Sequence, residues 1–94
     1  MTEKKYTAFF EKFAGKEQTV VTVAGVHEFT SVKEAYSACQ KFKQSCGKHF
    51  FAGCSIDNED GAYIYDNGVY DERHFIEGYP VSFEAFAAAY NIYN

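Results

Sequence analysis

The sequence predicts an α+β domain, an antiparallel sheet of about five strands with two helices packed on one of its faces. Three observations lead there. Apolar residues at three- and four-residue steps mark a helix from about Val32 to Cys46. A second helix is signalled after Ser82. Before and between them, short alternating apolar segments are punctuated by turn residues, as in strands.

The first segment has two readings. Tyr6, Phe9, Phe10 and Phe13 have helical spacing, yet Tyr6–Phe13 and Gln18–Val23 are rich in β-branched and aromatic residues and flank Ala14-Gly15-Lys16. That composition favours a hairpin over a helix at 6–13. Ser31 with Glu34 forms a capping box for the first helix, and Gly47 supplies its stop. Val32, Ala35, Tyr36, Cys39 and Phe42 form the stripe expected to pack on the sheet, with Lys33, Lys41 and Lys43 on the other side.

His49 to Ile56 reads as a strand with Phe50, Ala52, Cys54 and Ile56 on one face. Asn58 to Gly61 is a turn, and Ala62 to Tyr65 a second strand. Asn67-Gly68 asks for a tight type I′ turn, followed by a third strand from Val69 to about Phe75. Pro80 suits an extended approach to the second helix, where Val81 and Phe86 are spaced as a hydrophobic staple. Phe83, Phe86, Ala87 and Tyr90 form that helix's inner face.

Ninety-four residues fit one domain, 1–94. With 47% hydrophobic residues the chain has enough material for a core, which excludes global disorder. No apolar run approaches the ~18 residues of a membrane helix, and no signal peptide is indicated. Three cysteines is an odd number, and Cys39 and Cys46 on one helix lie about 10 Å apart along its axis, too far to bridge. Reduced thiols in a cytoplasmic protein are the expectation.

Charge is unevenly spread. Residues 1–48 carry eight lysines against five acids, whereas residues 49–94 carry eight acids and only Arg73. The second half would repel a free nucleic-acid strand and attract a basic protein surface, so direct nucleic-acid binding is not expected. The acids concentrate in the run DNEDGAYIYDNGVYDE, Asp57 to Glu72, which has six carboxylates and no lysine or arginine. Its candidate partner-binding residues are Asp57, Glu59, Asp60, Tyr63, Tyr65, Asp66, Tyr70, Asp71 and Glu72. Tyrosine gives contact area at low entropy cost, and carboxylates along strands can imitate phosphates. A merely solubilising face is the plain alternative.

Other chemistry is weakly signalled. Cys39, Cys46, His49 and Cys54 are zinc-type ligands without the paired spacing of a zinc site. Asp57 to Gly61 resembles the start of a calcium loop, but its glycine comes at the fifth position instead of the sixth. His74 beside Asp71 and Glu72 is the one acid–base cluster, read as a surface histidine with no nucleophile near it. No metal, cofactor, membrane contact or enzymatic activity is expected.

The opening hairpin, the helix entered as FTSVKEAYSACQKF and the hairpin FFAGCSIDNEDGAYIYDNG resemble the layout of small acidic accessory proteins of phages and mobile elements. The chain is similar to the general type of compact inhibitor to which several anti-CRISPR and anti-restriction proteins belong. That resemblance implies a cytoplasmic inhibitor in an infected bacterium, acting on the basic nucleic-acid-binding groove of a host complex, in the manner of a DNA mimic. It carries over no residue roles. A second reading is a homo-oligomeric structural or assembly protein, a homodimer for instance, with its aromatic surplus buried between subunits.

Overall fold

The computed structural model describes residues 4–47, 49–69 and 71–93. The chain opens with the antiparallel hairpin β1 (Tyr6–Phe13) and β2 (Val21–Phe29). Helix α1 (Val32–Cys46) then crosses β1, so that β3 (Phe51–Asp57) pairs with the other side of β1. A meander of β4 (Tyr63–Gly68), β5 (Glu72–Ile76) and β6 (Tyr79–Val81) follows, and α2 (Phe83–Ala89) closes the chain. The result is a six-stranded antiparallel sheet in the order β2-β1-β3-β4-β5-β6.

Both helix starts rest on a serine. Ser31 Oγ accepts from Glu34 N–H at 3.1 Å, and Ser82 Oγ accepts from Ala85 N–H at 3.2 Å. Gly47, at φ 74°, ends α1 in a conformation that a side chain would strain. The inner stripe of α1 is as the spacing predicts: Val32, Ala35 and Cys39 are buried, and Tyr36 and Phe42 pack against the core. Phe83 and Phe86 of α2 meet Tyr36 of α1, so the two helices share one face of the sheet. Under them lie Ala8, Phe10, Phe51, Cys54, Ile56, Ile64 and Tyr65.

Four expectations about the strands need correction. Phe51, not Phe50 or Ala52, faces the core at the start of β3, because the β1–β3 register slips between Glu11 and Lys12 and leaves Ala52 as an extra residue. Asn67-Gly68 is not the hairpin turn. Both residues belong to β4, and the connection lies beyond them, where Gly68 N–H donates to Asp71 O at 2.8 Å. The reason is that the Asn67 side chain is drawn inside, only 2% exposed, to donate to the Tyr65 hydroxyl. The first hairpin is longer than Gln18–Val23 suggests, since β2 runs on to Phe29.

There is also a sixth strand. Glu77 and Gly78 have positive φ, 50° and 84°, the combination that a two-residue type I′ turn requires. They fold Tyr79–Val81 back along β5, with Pro80 opposite Phe75 on the outer edge, where its missing N–H costs no ladder bond.

The core makes a quantitative demand. Phe86 is fully buried among Tyr36, Tyr65, His74 and Tyr90. Phe86→Ala should lower the unfolding free energy by about 3–5 kcal/mol in urea titrations. Phe42, half-buried and stacked on Phe10, should cost less, about 1–3 kcal/mol.

Candidate binding surface

The acidic run does not make one surface. Fold geometry sends its residues to four places. Glu59 and Asp60 are exposed in the β3–β4 turn, where they share a depression with Lys4, Lys5 and Tyr6. Asp66 and Asp71 both face Arg73, at 2.8 and 3.6 Å. Tyr65 and Glu72 belong to the interior polar cluster described below. Asp57 and Tyr63 meet on the open face of the sheet, which Asp66 shares in the neighbouring row. Tyr70 lies outside the described residues.

Tyr65 therefore cannot be a contact residue: it is fully buried. The cause is a bulge. Ile56 pairs with Tyr65 and Asp57 with Tyr63, so Ile64 is the extra residue, and Ile64 and Tyr65 both turn inward in succession. The Tyr65 hydroxyl donates to Glu72 Oε1 at 2.8 Å and accepts from Gln40 Nε2 at 3.1 Å and Asn67 Nδ2 at 3.0 Å. His74 Nε2 stands 3.4 Å from the same Glu72 oxygen. His74 is not a surface residue either; it is 8% exposed and packed between the rings of Tyr65, Phe83 and Phe86. Burial, reinforced by Glu72, pushes the Tyr65 phenol well above the ordinary tyrosine range and Tyr36 up to about 12. The Tyr65 hydroxyl is fully bonded, whereas His74 Nε2, shut from solvent, has only the 3.4 Å approach to Glu72 and no hydrogen-bond partner among the described residues.

The helices leave the other face of the sheet uncovered. Register pairs place its residues in rows. Val26, Phe9, Ser55, Asp66 and Arg73 form one row across five strands. Glu28, Thr7, Asp57 and Tyr63 form the next, and Val23, Glu11, Gly53 and Gly68 another. Phe9, Glu11, Val23, Val26, Ser55, Asp57 and Tyr63 line a shallow groove of about 340 Å³. Val23 is 70% exposed, Tyr63 58% and Val26 52%. Gly53 leaves the floor bare beside Glu11, and a Cβ there would come within 3.2 Å of Asn67 O.

Two carboxylates of this groove, Glu11 and Asp57, form no ion pair among the described residues, whereas Asp66 is held by Arg73 and Glu28 approaches Lys5 at 4.0 Å. Asp57 Oδ1 is shut from solvent without a hydrogen-bond partner among the described residues, and this burial raises its carboxyl above the usual range. Phe9, Glu11, Val23 and Val26 are the functional candidates that the acidic run did not reveal. Their signal in the sequence is β1 and β2 carrying apolar residues on both faces, unlike a strand with a wetted side.

The zinc-type residues stay apart. Cys39 and Cys54 are buried together, and a hydrogen bond between them, with burial, raises the Cys39 thiol far above its ordinary value. Cys46 is half-buried and His49 exposed. Among the described residues no three His, Cys, Asp or Glu side chains gather as a metal set. No described helix is long and apolar enough to cross a membrane. No family model matches the sequence, and no curated protein or solved structure matches it.

The polar cluster can be tested directly. Tyr65→Phe removes the atom shared by Gln40, Asn67 and Glu72, and should cost about 1–3 kcal/mol in chemical unfolding. Alkali should act through the same ring and its neighbour. A folded-state pKa above the unfolded one gives stability that is whole below the free-tyrosine value of 10.0 and is lost as pH rises towards 12. Tyrosinate absorbance and loss of circular dichroism should therefore appear together in that window. Ionisation of all tyrosines with the fold intact would contradict the burial.

Proposed function

We propose that this chain is a binding protein that docks the uncovered face of its sheet onto a basic protein surface, of the kind that grips nucleic acid, and thereby blocks it. One observation carries the reading: an apolar centre of half-buried Phe9 and exposed Val23, Val26 and Tyr63 is bordered by two carboxylates, Glu11 and Asp57, that form no ion pair among the described residues. A soluble sheet normally wets its open face with polar side chains, so four large apolar groups there ask for a cover. An incoming lysine or arginine would supply a partner for the Asp57 carboxylate. Its aliphatic stem would lie on Val26 and Tyr63.

The contact works by charge and apolar burial more than by imitation of a phosphate backbone, because the carboxylates of the run are dispersed and two of them are engaged by Arg73. The acid excess of the second half of the chain would steer a basic partner towards this face at low ionic strength. This is the inhibitor class suggested by the layout, with the contact moved from the acidic run to the groove.

Affinity capture from bacterial lysate tests it. The protein should retain basic nucleic-acid-handling proteins at low salt and release them as salt rises. Glu11→Lys combined with Asp57→Asn should lose that capture while keeping the melting profile. Lys33→Ala with Lys41→Ala, on the exposed side of α1, should leave it unchanged. Capture that ignores both the reversal and the salt would overturn the assignment.

A further inference from the structure

We infer that β2 is a homodimerisation edge: it pairs antiparallel with β2 of a second copy, joining two six-stranded sheets into one across a two-fold axis.

The two edges of the sheet are unlike. β6 is three residues long and carries Pro80, which has no N–H to offer. β2 is nine residues, roughly 30 Å of strand, and reads VTVAGVHEF. It has no proline, lysine or arginine, the usual means of blunting an edge. Its single carboxylate, Glu28, lies near Lys5 of the same chain. Val21 and Val23 are 48% and 70% exposed.

Backbone direction fixes which residues are free to pair. Phe13 N–H donates to Phe50 O on the β3 side, and Ala14 N–H donates to Val20 O on the β2 side, so alternate residues of β1 serve alternate neighbours. Carried through the register, this leaves the backbone groups of Val21 and Val23 pointing to the free edge. Past the bulge at Ala24, those of Val26 and Glu28 do the same. A two-fold axis between Ala24 and Gly25 then sets Val23 against Val26 of the second copy and Val21 against its Glu28. Thr22 falls opposite the second copy's His27. The Val23–Val26 and Val21–Glu28 pairs bring free backbone groups together, while Thr22 and His27 form the non-hydrogen-bonded pair between them, and in each pair both side chains lie on one face. Any other full-length register fails on one side of the bulge, because the bulge shifts the phase of the strand by one residue. The irregularity that would spoil pairing with a regular strand is self-complementary with its own copy.

Charge and symmetry agree. No like charges oppose in this register, whereas two copies stacked face to face would set the acidic grooves of both against each other. β6 cannot receive β2, so head-to-tail growth is blocked and the assembly closes at two. The valines of both copies would form one apolar strip across the axis, with a groove on either side. Strand pairing of this length buries less area than a standard interface, so dissociation in the micromolar range is expected.

Sedimentation equilibrium of the full chain tests this without any partner, so its outcome is separate from that of the capture experiment. A concentration-dependent rise from 10.7 kDa to twice that mass is expected. Val23→Pro removes only an N–H that faces outward, and should give a monomer with unchanged circular dichroism. Val23→Lys with Val26→Lys opposes lysines across the axis and should also give a monomer. Val23→Lys with Val26→Glu opposes lysine to glutamate twice, and should restore the doubled mass; this set remains decisive even if the proline variant folds poorly. A parent chain monomeric at every concentration overturns the inference. So does a doubled mass that survives Val23→Pro, or a Lys/Glu variant that associates no better than the Lys/Lys one.

Discussion

One phenolic oxygen holds the two halves of the core together. The hydroxyl of Tyr65 meets Gln40 from α1, Asn67 from its own strand and Glu72 from β5, while its ring lies against Tyr36, His74 and Phe86. A buried hydroxyl without partners would cost about 1–3 kcal/mol. Here its bonding capacity is filled, and the cost becomes a set of directional restraints. The seven-residue α2 is too short to be stable alone, and it is held through Phe83 and Phe86 on this same cluster.

With the helices committed to one side, the other side of the sheet should be wetted and polar. Thr7, Glu11, Ser55, Asp57, Asp66 and Arg73 meet that expectation, but Phe9, Val23, Val26 and Tyr63 stand among them where alternation would place polar residues, and the hydrophobic cost of exposing them is borne at one end of the sheet, next to the β2 edge. Local rules and solvent exposure disagree here. Such disagreements are where function is to be sought.

Sequence patterns made α1 legible to the residue, because a capping serine, a regular stripe and a terminal glycine all mark the same span. The strands were legible as strands but not in phase. Each of the bulges at Ala24, Ala52 and Ile64 inserts a residue of ordinary type, and a single insertion reverses inside and outside for all that follows. That is why Tyr65 read as a surface tyrosine. Asn67-Gly68 carried the right local chemistry for a turn, but the need of Tyr65 for a donor outweighed it. The acidic run was real as composition; its isolation from bases was not, since Arg73 follows one residue later and Lys4 and Lys5 approach from the other end of the chain.

Gly53 has a consequence for how the groove can change over time. Its row runs Val23, Glu11, Gly53, Gly68, so the face drops from side-chain height to bare backbone midway across the sheet. Any larger residue at 53 would press its Cβ to 3.2 Å from the carbonyl of Asn67, and Asn67 is itself tethered to Tyr65. The step is thus locked to the interior polar cluster. Selection can recolour the groove freely at Val23, Val26 or Tyr63, whereas a larger residue at 53 needs the Asn67 carbonyl to give by a few tenths of an ångström, so the relief of this face should outlast its chemistry.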